Sequence, residues 1–434
     1  MQHDHSHELP RLPFSRRGFL KSGGLALLAA GFGGVPNFIV RAAGNHQLVG
    51  PYKKPKLLVC IFQRGAMDGL MAVTPFTDSF LRKARPNLFL DAAVSQGKDA
   101  SFDLDGRFGL HPALASLQPF FKDKRLAIVH GVGSPNNSRS HFDAQDYMET
   151  GTPFSKSTSS GWLNRAVGLL GHDASPFRAV SLTNSLPKSF YGDEPALAIS
   201  NLNDFAIQLR NNPMSAHIAA QSFESLYDQT SASLLKETGK ESFEAIRMLT
   251  KADLNNYKPA NDAVYPSSPL GNSLRQIAQL VKLDMGLEVA FTECGGWDTH
   301  VNQGTGNGLF ARNIGDLGNS ITAFWNDLGA LQDNVTIMTM TEFGRTIHQN
   351  GTGGTDHGRA SCLFVLGNDV NGGIVHGKIP ELAIENLEDG RDLPVTTDFR
   401  AIFSEVAARH LSINNQSALF PGWAGKTIGV MKYS

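Results

Sequence analysis

Apolar runs of strand length recur along the chain and constrain its fold more than any other feature of the sequence. Each run is five to eight residues long and carries few charges, which is typical of strands covered on both faces of a sheet. The runs predict strands at residues 56–62, 125–132, 178–183, 196–200, 287–293, 335–341 and 361–367. Three stretches with apolar spacings of three and four residues predict helices, at 112–124, 272–285 and 314–332. Alternating helices and strands predict an α/β fold with a mostly parallel sheet flanked by helices.

The length of 434 residues suits one large α/β domain or two domains. We expect a single domain over residues 43–434 with a helical insertion at about residues 203–268, because helical patterning there gives way to a polar segment that contains Pro, Ser and Asn. A last helix is predicted over residues 398–411. It follows Thr396 and Thr397, whose hydroxyls can cap it.

The N-terminal segment predicts an export signal. Paired arginines in "SRRGFLK" (15–21) precede a weakly apolar run rich in glycine and alanine, as in twin-arginine signal peptides. We place the signal at residues 1–42, with cleavage after Ala42. The alternatives are a membrane anchor or a buried helix, but the glycines and Pro36 disfavour a stable span. The sequence therefore predicts a periplasmic or otherwise exported protein that engages the twin-arginine translocase and keeps no membrane span after processing.

Charge and cysteine content exclude several classes of protein. The formal net charge is −1, and no run rich in Lys and Arg follows the leader, so a general nucleic-acid binder is not expected. The hydrophobic content of 41% and charged content of 18% indicate a globular chain. Three cysteines, Cys60, Cys294 and Cys362, lie within or just after apolar runs without short spacings, so we expect buried thiols and no disulfide framework.

Polar residues of metal-binding types gather at five predicted strand ends. In an open parallel sheet, ligands bind at the carboxyl ends of the strands. The mixture of carboxylate oxygen and imidazole nitrogen suits hard or borderline divalent cations, and a serine at a helix start can be a nucleophile or hold an anion. The residues concerned are Arg64, Asp68, Ser140, His141, Asp143, Asp298, His300, Glu342, Arg345, Asp356, His357 and Arg359.

Each short motif taken alone is equally well explained by a surface turn or a solvated helix face. His111 and His130 are expected to be structural histidines that hydrogen-bond within the core, while His376 suits either a structural or a ligand role. The concentration of carboxylates and imidazoles at one predicted sheet edge is what favours a metal site.

Seven motifs accompany the leader: "QRGAMDGLMAVTPF", "LHPALASL", "SRSHFDAQDYMETG", "GWLNR", "GGWDTH", "TEFGRT" and "GGTDHG". Together they resemble an exported bacterial family catalogued as a domain of unknown function, numbered fifteen-oh-one and often labelled sulfatase-like. The resemblance covers nearly all of the chain after the leader. That family is itself similar to the alkaline phosphatase superfamily of phosphatases, sulfatases and metal-dependent phosphoglycerate mutases. The resemblance thus implies an alkaline-phosphatase-like fold, on which the helical insertion predicted from the residues would form a cap.

The resemblance also implies roles for individual residues. Asp68 matches the aspartate that follows the opening strand of the superfamily, and Ser140 matches the nucleophile at a helix start. Asp298 and His300 match an Asp/His pair that binds metal. That pair is usually four residues apart, whereas here it is two apart; side chains at this spacing share a face of extended backbone, so both can still reach one ion.

A second departure concerns the Asp-His dipeptide that ends a strand in the superfamily. Glu342 falls at the position of its aspartate, but Phe343 replaces its histidine and cannot bind a metal, so one of two metal sites is lost or altered. His357 then matches the last histidine. An alternative alignment makes Asp356 and His357 the dipeptide and His376 the final ligand. The first alignment fits better, because no long strand leads into Asp356.

The resulting hypothesis is an exported, metal-dependent hydrolase-like protein that acts on a phosphate or sulfate ester. The cofactor is a divalent ion, with zinc, calcium, magnesium and manganese as candidates, and the partner is an anionic ester substrate. Ser140 is the predicted nucleophile, and Arg64, Arg139, Arg345 and Arg359 are candidates for holding ester oxygens, of which Arg64 and Arg345 are taken as site residues. The predicted metal ligands are Asp68, Asp298, His300, Glu342, Asp356 and His357.

Two other functions stay open. A non-catalytic binding or assembly protein on the same fold is supported by Phe343 in a ligand position and by "SRSHFD" in place of the sulfatase Cys/Ser-x-Pro-x-Arg motif. An exported redox enzyme is disfavoured because the sequence lacks a dinucleotide-binding glycine motif, a haem-attachment motif and iron–sulfur spacing.

Overall fold

The structure is a computed structural model that describes residues 55–92, 100–172, 175–202 and 256–433. The leader and residues 203–255 of the expected insertion lie outside these ranges, so the predicted signal peptide and helical cap stay predictions. In the described part of the chain, no helix combines the length and the apolar character needed to cross a membrane.

The described strands are mostly short, and the longest ones form the centre of the molecule. Their bounds are β1 (Leu57–Gln63), β2 (Val73–Pro75), β3 (Asp91–Ala92), β4 (Ala100–Asp103), β5 (Phe108–Leu110), β6 (Leu126–Gly133), β7 (Ala179–Ser181), β8 (Leu197–Ala198), β9 (Val289–Cys294), β10 (Val335–Met340), β11 (Arg345–Gln349), β12 (Thr355–His357), β13 (Ser361–Gly367), β14 (Val375–His376) and β15 (Thr397–Asp398).

Nine of these strands form the main sheet. Its order is β14-β6-β13-β10-β1-β9-β7-β8, and β15 also pairs with β6. Every pairing in it is parallel except the two made by β13, which runs antiparallel to β10 and to β6. Two smaller sheets, β11-β12 and β2-β5-β4-β3, flank it. The prediction of a mostly parallel sheet is therefore confirmed.

Helices cover both faces of the main sheet. The described α-helices are α1 (Gly69–Ala72), α2 (Ser79–Ala84), α3 (Gln118–Lys122), α4 (His141–Thr150), α5 (Trp162–Leu169), α6 (Pro269–Lys282), α7 (Leu309–Leu328), α8 (Phe399–His410) and α9 (Gln416–Leu419). Val59 and Ile61 of β1 belong to a core layer shared with α6 and α7. Leu58 and Cys60 belong to the opposite layer, shared with α5 and α8. Because successive strand side chains point to opposite faces, burial on both sides explains the near-continuous apolar runs.

All seven predicted strands are present, as β1, β6, β7, β8, β9, β10 and β13. The predicted helix over 272–285 begins earlier, at Pro269, because Ser268 caps it by accepting a hydrogen bond from the Gly271 amide. The expected threonine cap of the last helix is wrong. Asp398 caps α8 by accepting from the Arg400 amide, whereas the Thr396 hydroxyl donates to the Lys378 carbonyl.

The cysteine and structural-histidine predictions are also confirmed. Cys60 and Cys362 are buried, Cys294 is half-buried, and all three are free thiols. His111 is buried at the start of a 3₁₀ turn, where its Nδ1 accepts from the Ala113 amide. His130 is buried on β6, where its Nε2–H donates to the Val73 carbonyl and its Nδ1 accepts from the Gly131 amide. His376 lies on β14, and its Nε2–H donates to the Asn371 carbonyl.

Two buried histidines make the stability of the fold depend on pH. Burial lowers the pKa of His130 to about 4 and that of His410 to about 4. In the unfolded chain both imidazoles take up a proton near pH 6.5, whereas in the folded protein they stay neutral down to about pH 4. The stability that the neutral histidines contribute is therefore complete above pH 6.5 and is lost as pH falls to about 4. We expect the free energy of unfolding to drop by roughly 3 kcal/mol per histidine over that range.

Denaturant unfolding at several pH values measures this loss. Because the His410 Nε2–H donates to the Leu57 carbonyl, His410→Gln keeps a donor and removes the titration, so it should reduce the slope between pH 6.5 and 4. The exposed His348→Gln variant is the matched control. An unchanged slope in His410→Gln would contradict the assignment.

Candidate metal centre

Four loops that carry polar residues meet at one edge of the main sheet. Strands β9 and β10 are both parallel to β1, and β6 points the same way as β10 because both oppose β13. Their carboxyl ends therefore share an edge, where parallel sheets place their ligands. From β6 the chain runs into α4, which begins at His141. The β11-β12 hairpin brings His357 to the same edge.

Three imidazoles and one carboxylate converge there. The Nε2 atom of His357 lies 3.0 Å from Nε2 of His141 and 2.9 Å from Nε2 of His300. Oδ1 of Asp298 lies 3.1 Å from the same His357 nitrogen and 3.0 Å from His300 Nε2. Asp298 Oδ2 is 3.5 Å from His141 Nε2. Within the described ranges, His141, Asp298 and His357 form a group whose ligand atoms all lie within 4.8 Å of one another.

The other nitrogen of each ring has its own acceptor. His141 Nδ1–H donates to Glu342 Oε1 at 2.8 Å, and His300 Nδ1–H donates to Asp356 Oδ1 at 2.9 Å. His357 Nδ1–H donates to the Arg139 carbonyl at 2.9 Å. These acceptors assign the proton of each neutral ring to Nδ1. Metal-binding histidines are oriented in the same way by carboxylates and carbonyls.

This arrangement directs the Nε2 atoms of His141 and His300 at Nε2 of His357, with the Asp298 carboxylate beside them. Imidazole nitrogens about 3 Å apart repel through their lone pairs unless a proton or a cation lies between them, and three such nitrogens meet here. A single cation bound between them satisfies all three at once. The donor set of three imidazoles and one carboxylate therefore fits a divalent metal ion.

The charges around the cluster keep its carboxylates ionised. Burial opposes ionisation of Glu342, but hydrogen bonds from His141 and Gln145 hold its pKa below the usual value. Asp298 is likewise held at a lowered pKa, because the hydrogen bond and charge of Arg345 outweigh its partial burial.

The rings themselves are shifted in opposite directions. The hydrogen bond with Glu342 raises the pKa of His141. Burial, reinforced by the neighbouring His141, lowers the pKa of His357, which favours the neutral form that can bind a metal.

Phe343 fixes the ring positions from behind. It is buried, and its ring stacks on His141 with centroids 4.9 Å apart and lies 5.1 Å from the His357 centroid. The residue that departs from the superfamily pattern thus packs against two imidazoles.

The structure gathers several of the predicted site residues in two tiers. Asp298, His300 and His357 present ligand atoms to the centre. Glu342 and Asp356 lie behind, as hydrogen-bond acceptors for His141 and His300. Their assignments as direct metal ligands stay predictions.

Ser140 and Arg345 lie beside these tiers. Ser140 is the N-cap residue of α4, directly before His141; it is exposed and its side chain makes no capping hydrogen bond. Arg345 is buried, donates to Asp298 Oδ1 at 2.7 Å and uses its Nε and Nη2 on Thr355.

Asp68 and Arg64 are engaged elsewhere. Asp68 is buried in an ion pair with Arg85 at 2.7 Å and also accepts from Gln303. The Arg64 guanidinium pairs with Glu149 at 3.0 Å and with Glu293 at 2.5 Å. Among the described contacts, neither group reaches the converging nitrogen atoms. The predicted roles of Asp68 and Arg64 stay predictions.

His141 was recognised in the sequence only as a strand-end residue and was not assigned as a ligand. The available signal was its spacing: His141 and Gln145 are four apart and share one face of α4, and both donate to Glu342 Oε1. Arg391, which donates to the His357 carbonyl, carried no signal in the sequence pattern.

Solved structures with a similar fold include three bacterial proteins. The lipoteichoic acid synthase LtaP from Listeria monocytogenes matches with 10% identity and a TM-score of 0.32, over 72% of this chain and 65% of that chain, just under two thirds of its length. The C-terminal periplasmic domain of EcEptC from Escherichia coli, in complex with Zn, matches with 12% identity and a TM-score of 0.27, over 73% of each chain. The alkaline phosphatase from the Antarctic bacterium TAB5 matches with 12% identity and a TM-score of 0.29, over 73% of this chain and 93% of that chain.

Sequence comparison gives the family. No curated protein matches significantly. The family described as "Protein of unknown function (DUF1501)" matches residues 55–419, which is most of the chain and includes every residue of the centre described above. The protein therefore belongs to this family of unknown function.

Proposed function

We propose that the protein is a metal-dependent hydrolase of phosphate or sulfate esters. The observation that carries this proposal is the convergence of the Nε2 atoms of His141, His300 and His357 with the Asp298 carboxylate, each ring having an acceptor at Nδ1. Such a site holds a cation at the carboxyl edge of a parallel sheet, where α/β enzymes bind their substrates.

The donor set favours zinc among the candidate ions. Imidazole nitrogen suits zinc, whereas calcium and magnesium prefer all-oxygen sites. Tetrahedral ligands at about 2.0–2.1 Å from zinc are about 3.3–3.4 Å apart. His357 Nε2 lies 2.9–3.1 Å from the nearest ligand atom of His141, His300 and Asp298, so a small outward movement of His357 brings these pairs to that spacing. Asp298 Oδ2, which faces His141, completes the set.

When bound, the ion would lower the pKa of a water or serine hydroxyl, and its positive charge would stabilise the transferring group. The chain supplies the rest. Ser140 begins α4 beside His141 with an exposed side chain, where it can act as nucleophile. Glu342 and Phe343 keep the His141 ring in place.

Substituting Ser140 tests the reaction. We expect purified mature protein to contain metal and to hydrolyse some members of an aryl-phosphate and aryl-sulfate panel. Ser140→Ala should then retain metal and lose turnover by roughly a thousandfold or more. The exposed Ser159→Ala variant is the matched control.

The outcomes separate the candidate functions. Absence of bound metal and of turnover across common divalent ions contradicts the proposal. Metal bound without turnover in the wild-type protein favours the non-catalytic binding or assembly function. Full activity in Ser140→Ala leaves a hydrolase that uses water in place of the serine.

We further propose that the protein is exported by the twin-arginine pathway, on the strength of Arg16 and Arg17 in the leader. Replacing both by lysine should retain the protein in the cytoplasmic fraction of the producing cell, while the wild-type chain is found outside the cytoplasmic membrane. Equal distribution of the two proteins would refute the pathway.

A further inference from the structure

An open cavity of about 560 Å³ lies beside the candidate metal centre. His300 and His357 form one side of it, so it opens directly onto the centre. Arg139 and Arg391 form another side, and the remaining lining residues also have polar side chains: Asp356, Thr346, His348, Gln349 and Asn350. The cavity is far larger than one phosphate or sulfate group, so it has room for the part of the substrate that leaves.

Two guanidinium groups in this wall keep hydrogen-bonding capacity. Arg139 uses Nε and Nη2 on Asp392 and Asp389. Arg391 uses Nε on Asp392 at 3.1 Å and Nη2 on the His357 carbonyl. Among the described residues, the Nη1 group of each has no hydrogen-bond partner. Their side chains are 27% and 44% exposed, so a ligand in the cavity can reach them.

The negative charge beside these arginines is limited. Both share the single buried carboxylate of Asp392, and the pairing of Arg139 with the exposed Asp389 is weakened by water. Asp356 is engaged by His300 and Asn350. In contrast, Arg359 is buried and committed to Glu388 and the Asn136 carbonyl.

The two arginines contact the side of His357 that faces away from the metal centre. The Arg139 carbonyl accepts from Nδ1, and Arg391 binds the main-chain carbonyl, whereas the metal-facing atom is Nε2. Among the described hydrogen bonds, neither guanidinium group contacts a metal-facing Nε2 atom. An anion held by this wall can therefore be a different group from the one held by the metal.

We propose that Arg139 and Arg391 bind a second acidic group on the substrate, a carboxylate or phosphate carried by a hydrophilic leaving group. This specificity inference rests on the proposed ester hydrolase function. A planar guanidinium edge suits such a group because it offers paired donors. Every side chain that lines the cavity carries a polar group, so the wall can hydrogen-bond to a hydroxyl-rich or acidic leaving group.

Binding of simple anions tests the inference without requiring turnover. The probes are inorganic phosphate and the series phosphonoacetate, 3-phosphonopropionate and 4-phosphonobutyrate, in which a carboxylate lies at increasing distance from the phosphonate. Titration calorimetry on the zinc-loaded protein should show at least one phosphono-carboxylate binding about tenfold more tightly than phosphate. Arg391→Gln should remove this advantage over phosphate, and Arg391→Lys should retain part of it.

The matched control is Arg409→Gln, an exposed arginine in the last turn of α8, which should behave like the wild type. Thermal unfolding of each variant shows whether it is folded. A series in which no member binds more tightly than phosphate overturns the inference, as does an advantage that persists in Arg391→Gln. Because binding is measured directly, the inference is supported by the expected pattern even if no ester is hydrolysed.

Discussion

Replacing His357 by alanine is expected to reduce zinc affinity by roughly 100- to 1,000-fold. His357 Nε2 lies within 3.1 Å of ligand atoms from His141, His300 and Asp298, so it is central to the group. Four ligands that share a zinc-binding free energy of roughly 10–16 kcal/mol contribute about 2.5–4 kcal/mol each. Competition with a chromophoric chelator, on folded protein at constant pH, measures the loss.

Substitution of the residues that hydrogen-bond to the imidazole rings from behind should reduce zinc affinity less. Glu342→Gln keeps an acceptor for His141 Nδ1–H but loses the charge, and we expect about a tenfold loss of affinity. His376→Ala should leave zinc affinity unchanged, because His376 lies on β14 at one end of the main sheet and donates to the Asn371 carbonyl. This order of effects also decides between the two alignments. Loss of zinc in His376→Ala, or retention in His357→Ala, would refute the proposed ligand set.

The sheet could be predicted from the sequence because its signal is local and redundant. Strands such as β1 and β10 are buried on both faces, so most positions along them are apolar, and an error of one residue at either end does not hide the strand. The short strands β11 and β12 carry no such run. Their residues are determined by the geometry of the site, and the two strands pair through Arg345 with His357 and Gln349 with Thr355.

The site was predictable in its location but not in its internal arrangement. The rule that sites follow strand ends selected Asp298, His300 and His357. It could not show that Glu342 lies behind His141, because that contact joins residues 201 positions apart. Asp298 faces the metal position, whereas Glu342 and Asp356 support the imidazole rings from behind. All three are acidic residues at the same sheet edge. Only the side-chain directions distinguish them.

Asp68 illustrates the same limit, and it gives the second large expected effect. Its Oδ2 accepts from Arg85 Nη1 at 2.7 Å, and both side chains are almost fully buried. Arg85 also donates to the carbonyls of Thr346 and Ile347, which lie in β11 of the site hairpin. Removing one partner leaves the other buried and unpaired. We therefore expect Arg85→Met to lower the free energy of unfolding by about 3–5 kcal/mol.

Metal affinity and stability together establish the role of Asp68. Asp68→Asn should destabilise the fold by a similar amount and leave zinc affinity unchanged, because the carboxylate neutralises Arg85 and not a metal ion. In the double variant Asp68→Leu/Arg85→Met, part of the stability should return, since no buried charge is left unpaired. Arg82→Met is the control: its ion pair with Asp91 is half-exposed and should contribute less than about 1 kcal/mol. A loss of zinc binding in folded Asp68→Asn comparable to that in His357→Ala would instead make Asp68 a metal ligand, as the superfamily resemblance implies.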